Sequence, residues 1–124
     1  MRRLVVLLVL ASCSPVAPVP AGSDPFAREL AGRIAGPSQT CVSAVQNEGL
    51  RSVDSRTIAY ELGRTLWVNR LDQACPAISP HNGIIVDIHL GQYCRGDRIR
   101  GFEPGAIIPG PHCTLRDWVP YRRR

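Results

Sequence analysis

Four cysteines spread over a short globular region constrain the fold more than any other feature of this chain. Cys41, Cys75, Cys94 and Cys113 lie in a region of about 80 residues, a size at which apolar burial alone gives only marginal stability. No two of them form a Cys-x-x-Cys pair, so neither a zinc knuckle nor a thioredoxin-like redox motif is indicated. The pattern predicts two structural disulfides, formed in an oxidising compartment.

Four cysteines permit three pairings, and the sequence leaves all three open. We prefer Cys75 with Cys94, which would close the loop between two neighbouring strands, and Cys41 with Cys113, which would tie the first strand region to the last. In the chain-entropy description, closing a loop of about 20 residues contributes roughly 3 kcal/mol, and closing one of about 70 residues somewhat over 4 kcal/mol. Since these values rival the whole stability of a small domain, we expect the loss of either disulfide to be severe.

The first twelve residues have the organisation of a signal peptide. Residues 1–3 carry two arginines, residues 4–10 are apolar, and Ala11 and Ser12 are small. Seven apolar residues span about 10 Å as a helix, whereas the hydrocarbon core of a bilayer measures about 30 Å. Residues 1–12 are therefore predicted to direct export and not to span the membrane.

The fifth cysteine stands directly after this leader. Leu10-Ala11-Ser12-Cys13 resembles the lipobox of bacterial lipoproteins, and the resemblance implies that the Cys13 thiol is acylated and becomes the first residue after cleavage. Lipidation of Cys13 also accounts for the odd number of cysteines. The alternative is an ordinary secretory leader that is cut later, for example after Ala21.

A proline-rich segment separates Cys13 from the domain. Residues 13–23 contain three prolines and no charge, which favours an extended spacer of roughly 30 Å. Ser14 follows the lipidated position. In enterobacterial lipoproteins an Asp at this position signals retention in the inner membrane, so the resemblance to lipoproteins favours the outer membrane. We expect a lipid anchor in its inner leaflet, with residues 24–121 facing the periplasm as a single domain and residues 122–124 forming a basic tail.

The predicted domain is mainly β, of the α+β class, with one helix at its start. Residues 24–36 are predicted to be helical, because Asp24 suits the N-cap and Phe26, Leu30 and Ile34 recur on one face. Residues 41–119 alternate apolar and polar side chains, which predicts five or six short strands in a small antiparallel sheet or a partly open barrel. The expected strands are 50–53, 57–62 and 65–69 as a hairpin around Gly63-Arg64, 84–90, 98–102 and 113–119.

The distribution of charge argues against nucleic-acid binding. The formal net charge is +5, but Arg2 and Arg3 leave with the leader and the closing residues 122–124 account for the rest. The domain itself is near neutral and offers no predicted basic face to a phosphate backbone. The closing arginines are expected either to be solvated or to touch anionic lipid head groups.

Several segments resemble a family of small proteobacterial envelope lipoproteins with four cysteines and no assigned activity. The resemblance covers Cys41 to Trp118 and lies in Cys41, Trp67–Leu71, Ala74–Pro76, Tyr93–Ile99 and Cys113–Leu115. Members have Gly and Phe after the final Cys-x-Leu, where this chain has Arg116-Asp117-Trp118. The resemblance implies the location and the scaffold, not an activity.

Few side chains form a pattern that indicates chemistry. Asp87 and His89 lie two positions apart on one predicted strand face, where a carboxylate could orient an imidazole, but no nucleophile elbow accompanies them. The simpler interpretation is the polar face of an amphipathic strand. His81 and His112 stand alone and predict no metal site.

Two further patterns have plain structural interpretations. Arg95-Gly96-Asp97 matches an adhesion tripeptide but is also typical of a turn. The larger aromatic side chains could form a binding face, yet such residues usually pack across strands.

From these observations we expect a non-enzymatic module, without cofactor or metal, that is held at the membrane by lipid and binds an envelope protein. An alternative is a small periplasmic ligand carrier or hydrolase that uses a cleft near Asp87 and His89. A third hypothesis, inhibition of an incoming lytic enzyme, rests on analogy with other small disulfide-rich periplasmic proteins.

Overall fold

The computed structural model describes residues 25–46 and 48–124, and within them the fold is built from short antiparallel strands. The predicted signal peptide, Cys13 and the proline-rich spacer lie outside the described residues. The elements are α1 (Pro25–Leu30), β1 (Arg33–Ala35), β2 (Cys41–Ser43), β3 (Arg51–Ser52), β4 (Thr57–Leu62), β5 (Thr65–Arg70), β6 (Gly83–Val86), β7 (Gln92–Cys94), β8 (Arg98–Phe102), β9 (Cys113–Thr114) and β10 (Trp118–Arg123). The prediction of a mainly β domain with two disulfides is confirmed, although its strands are more numerous and shorter than expected.

The strands form three separate sheets. One has five strands in the order β1-β10-β5-β4-β3, a second pairs β2 with β7, and a third has the order β6-β8-β9. No closed barrel is present in this part of the chain, and the strands form small antiparallel sheets, as predicted.

The helix is shorter than predicted. It ends at Leu30, and Gly32, with a φ of 73°, redirects the chain into β1. Ile34 therefore lies on a strand that pairs with β10, where it is half exposed, while Phe26 is buried. The i, i+4 apolar spacing correctly marked the first turns of the helix, but the third apolar position belongs to the next element. The described helix is also far too short to cross a bilayer.

The hairpin of β4 and β5 forms the centre of the molecule, as the alternating pattern predicted. Gly63, with a φ of 60°, lies in the turn, and Leu62 pairs with Thr65. Ile58 and Tyr60 face the main core, whereas Ala59 packs with Phe26 and Leu66 on the opposite face. Both faces are buried because helix α1 covers the second one.

Two predicted strands differ from their patterns: one ends early and the other is interrupted. The strand predicted over 84–90 stops at Val86, and Leu90 is fully exposed with a φ of 55° at the turn into β7. The strand predicted over 113–119 divides into β9 and β10 around residues 115–117. The buried Asn69 side chain holds this interruption by bonding both main-chain groups of Arg116.

The closing arginines only partly form a tail. Arg122 and Arg123 belong to β10 and pair with Ile34 and Arg33 of β1. The end of the chain therefore contributes an inner strand to the five-stranded sheet, and the expected boundary at residue 122 lies inside that strand.

Candidate binding surface

All four domain cysteines form disulfides, but our preferred pairing was wrong. The bonds join Cys41 with Cys94 and Cys75 with Cys113. Cys41 and Cys94 are direct partners in the β2–β7 ladder, with Cα atoms 4.0 Å apart. The preference failed because it took strands close in sequence as neighbours, whereas β7 pairs with the distant β2.

The second disulfide connects different parts of the fold. Cys75 follows β5 and is buried in the main core, and Cys113 opens β9 of the three-stranded sheet. This bond therefore fixes the end of the chain segment 103–112, which joins β8 to β9, against the segment after β5.

The structure does not bring Asp87 and His89 together. The nearest carboxylate oxygen to Nδ1 of His89 is Oδ1 of Asp97, at 3.4 Å, whereas Asp87 lies 3.6 Å from Nε of Arg98. Within the described residues no hydroxyl or thiol bonds to His89, whose side chain is largely exposed. Asp87 and His89 therefore lie beside different partners and do not form part of a catalytic triad.

The Asp97 side chain stabilises the turn that follows β7. Its Oδ2 accepts a hydrogen bond from the amide of Cys94 at 2.7 Å, and Gly96 has a φ of 93°. The carboxylate is almost completely buried. The interpretation of Arg95-Gly96-Asp97 as a turn is therefore confirmed.

Two clefts lie beside these elements. One, of about 400 Å³, borders the Cys75–Cys113 disulfide and contains His112 and Asp72, but the Asp72 carboxylate already pairs with Arg116 at 3.2 Å. His81 does not line this cleft. In residues 25–46 and 48–124 no three His, Cys, Asp or Glu side chains gather as a metal site would require.

The other cleft, of about 380 Å³, is more apolar, and one of its lining residues directly precedes His89 in the sequence. Val45, Ile88 and Tyr93 contribute to its walls. Burial, and secondarily the neighbouring Tyr60, raises the pKa of the Tyr93 hydroxyl above its ordinary range. Tyr60 donates a hydrogen bond to the carbonyl of Ser43, whereas the Tyr93 hydroxyl has no hydrogen-bond partner among the described residues.

The aromatic side chains belong mainly to the core. The ring of Tyr60 packs edge-on against Tyr93, with centroids 5.3 Å apart, and against Trp118 at 6.4 Å. Trp67 is buried in the same cluster. The interpretation as core packing is confirmed for these four residues, and Tyr60 and Trp67 are also direct partners across β4 and β5.

Among the described residues, the segment between β8 and β9, residues 103–112, exposes two adjacent apolar side chains, and we call it the isoleucine loop. Ile107 is 96% exposed and Ile108 is 81% exposed. Exposed loops usually carry small or polar side chains at their tips, so two adjacent isoleucines in this position are unusual. The sequence already contained the signal, an Ile-Ile pair between Gly105 and Pro109, but our sequence interpretation did not single it out.

The base of the isoleucine loop is held rigidly. The amide of Gly110 donates to the carbonyl of Gly101 at 2.8 Å, and the amide of Ala106 donates to the carbonyl of Glu103 at 3.0 Å. A Cβ atom at Gly110 would lie only 2.6 Å from the Cβ of Ala77, so the backbones approach closely here. These contacts, with prolines 104, 109 and 111, restrict the conformations of the loop.

The adjoining sheet continues this surface. Ile85 is the direct partner of Arg100, and Gly83 is the partner of Phe102, so these side chains share the face of β6 and β8 that is turned away from the core. We call Ile85, Arg100 and Phe102 the outer face. Ile85 and Phe102 are each about one third exposed, and Arg100 makes no ion pair or hydrogen bond with the described residues.

Comparison with protein-family models, with curated proteins and with solved structures found no match for this chain.

Proposed function

We propose that the protein is a membrane-anchored periplasmic lipoprotein of the bacterial cell envelope, and that its disulfide-stabilised domain is a non-enzymatic binding module. The export leader and the lipobox-like Leu10–Cys13 segment support the location and the anchor. The isoleucine loop and the outer face support the binding role and form the binding surface.

The observation that supports the binding role best is the exposure of Ile107 and Ile108 on a loop that main-chain hydrogen bonds hold in place. Full burial of one such side chain contributes about 1.5 to 3 kcal/mol, and this free energy is unrealised in the isolated domain. A loop that is already ordered loses little conformational entropy when it binds. Both terms favour association through this loop.

The ionisable groups around His89 support a module without catalytic chemistry. Asp97 holds the turn after β7, and Asp87 pairs with Arg98. Each carboxylate thus already has a partner that stabilises the fold or its surface.

Photocrosslinking in intact cells tests this proposal. A benzophenone amino acid at Ile107 should give defined adducts with an envelope component, because the side chain would be covered in the bound state. The same group at Ile34, which is half exposed on the other sheet, is the matched control. Identical adduct patterns at the two positions would argue against a binding role for the loop.

The apolar cleft favours a second candidate function, that of a small ligand carrier. Its apolar walls suit an apolar ligand, and the Tyr93 hydroxyl, which has no hydrogen-bond partner among the described residues, could donate to one acceptor on it. N-phenyl-1-naphthylamine is a suitable fluorescent probe. If the cleft is the binding site, Ile88→Glu should abolish enhancement of its fluorescence, while the paired Asp87→Ala and His89→Ala substitutions should leave it unchanged.

A further inference from the structure

We propose that the isoleucine loop inserts into the surface of the same bilayer that holds the lipid anchor, with Arg100 at the level of the phosphate groups. This inference rests on the proposed function, because it takes the domain to be tethered through Cys13. It identifies the partner of the binding surface as the phospholipid surface itself.

The shape of the surface favours a bilayer over a folded protein. The isoleucine loop offers a tip with only two exposed apolar side chains, whereas a stable protein interface buries about 800 Å² on each partner. A lipid surface can receive a small projecting tip without a complementary pocket. Insertion therefore needs only Ile107 and Ile108 and no larger contact area.

The composition of the loop lowers the cost of insertion. Residues 104–111 carry no charge, and the three prolines among them have no amide hydrogen to desolvate. The amides of Ala106 and Gly110 are already bonded within the protein. Among the described contacts, only the amides of Gly105, Ile107 and Ile108 in this segment lack a protein acceptor.

Arg100 supplies complementary charge beside the loop. It lies on the strand that leads into the loop, two positions before Phe102, and it has no carboxylate partner among the described residues. The neighbouring Arg98, by contrast, pairs with Asp87. An arginine flanked by Ile85 and Phe102 can rest its stem on apolar surface and direct its guanidinium to a phosphate oxygen.

Because the lipid anchor would hold the domain close to the bilayer, a weak contact is sufficient for insertion of the loop. Burial of only two isoleucines would give a loose association for an untethered domain. A spacer of roughly 30 Å keeps the domain within reach of the bilayer and raises the effective concentration to about the millimolar range. The loop would then be inserted for much of the time.

Depth-dependent fluorescence quenching tests the insertion. The acylated protein, extracted from membranes, is reconstituted into vesicles of phosphatidylethanolamine and phosphatidylglycerol as the Ile107→Trp variant. The native Trp67 and Trp118 are buried in the core and are poorly accessible to both quenchers, so the quenched part of the emission comes from the introduced tryptophan. We expect lipids brominated near the head group to quench the introduced tryptophan, and aqueous acrylamide to quench it at least threefold less than in Ile34→Trp, the matched control.

A second variant tests the role of the charge. Arg100→Gln in the Ile107→Trp background should lower the ratio of inserted to free loop by about fivefold, as expected for one arginine near an anionic surface. An effect below twofold would overturn the assignment of Arg100.

The remaining outcomes separate the two proposals. If the intact mass shows the acyl anchor but acrylamide quenches both introduced tryptophans equally, insertion is wrong and the lipoprotein proposal stands. If the mass shows no acyl group, both fail. If the benzophenone at Ile107 crosslinks to a protein and not to lipid, the surface is a protein-binding site and the bilayer proposal is overturned.

Discussion

Replacement of Asn69 by Ala should destabilise the domain strongly. The side chain is completely buried at the end of β5, its Nδ2 donates to the carbonyl of Arg116 at 2.6 Å, and its Oδ1 accepts from the Arg116 amide at 2.9 Å. These bonds replace ladder bonds at the break between β9 and β10. In Asn69→Ala both main-chain groups of the half-buried Arg116 lose their partner, and each group left without one costs about 1 to 3 kcal/mol.

We therefore expect the free energy of unfolding to fall by about 2 to 6 kcal/mol, a large share of the total for a domain of this size. Urea denaturation of the oxidised protein, followed by the fluorescence of the buried tryptophans, measures this change. Asn82→Ala is the matched control, because Asn82 makes only one such bond, which is exposed to solvent, to the carbonyl of Ala77 at 2.8 Å. It should cost less than about 1 kcal/mol. A loss in Asn69→Ala no larger than in Asn82→Ala would refute the reasoning.

Three further perturbations follow from the structure. Removing either disulfide by paired Cys→Ala substitutions should cost about 4 kcal/mol through loop closure alone, since the sequence separations of 53 and 38 residues give similar entropies. Urea denaturation should show a further loss for Cys75→Ala with Cys113→Ala, because Cys75 is also part of the core, and equal or smaller loss there would contradict this. Because the pKa of Tyr93 is raised in the folded state, the unfolded chain releases that proton first, so stability should be unaffected below about pH 10 and fall as the pH rises from there through the folded pKa. Tyr93→Phe should remove this part of the pH dependence in urea titrations, and an unchanged profile would exclude Tyr93 as its source. Gly101→Ala should prevent folding or lower the melting temperature sharply, because its Cβ would collide with the main chain of Ala77, whereas Gly49→Ala, with open space around it, should be tolerated in thermal melts.

The sequence predicted those parts of the fold that depend on local patterns. Alternation over residues 57–69 with a glycine turn indicated a hairpin, and the structure contains it as β4 and β5. Phe26 and Leu30 marked the helix because their spacing is local as well.

The predictions were wrong where the structure of a segment depends on its contacts with residues that are distant in the sequence. The alternation continues through Ile88 and Leu90, but the last pair of β6 with β8 joins Val86 to Ile99, and the chain then enters a surface turn. The cysteine pairing depends on which strands are neighbours, and the sequence does not reveal that β2 pairs with β7.

Only part of the candidate surface could be predicted from the sequence. Asp87 and His89 were candidate residues because a carboxylate can orient an imidazole. In the structure the carboxylate beside His89 is that of Asp97, and the sequence did not predict that the turn containing Asp97 lies next to His89. The Ile-Ile pair at 107–108 is a local signal, but its exposure depends on the contacts of Gly101 and Gly110 with the segment after β5. A pattern of apolar residues alone does not distinguish a buried strand from a projecting loop.

Intact-mass analysis of the protein extracted from membranes tests the central claim most directly, namely that one cysteine carries lipid and the other four are paired. We expect a mature chain that begins at Cys13 and carries acyl mass, with no alkylated thiol before reduction and four after it. Peptide mapping should then join Cys41 to Cys94 and Cys75 to Cys113. A chain without acyl mass, or thiols that alkylate in the native protein, would contradict the account.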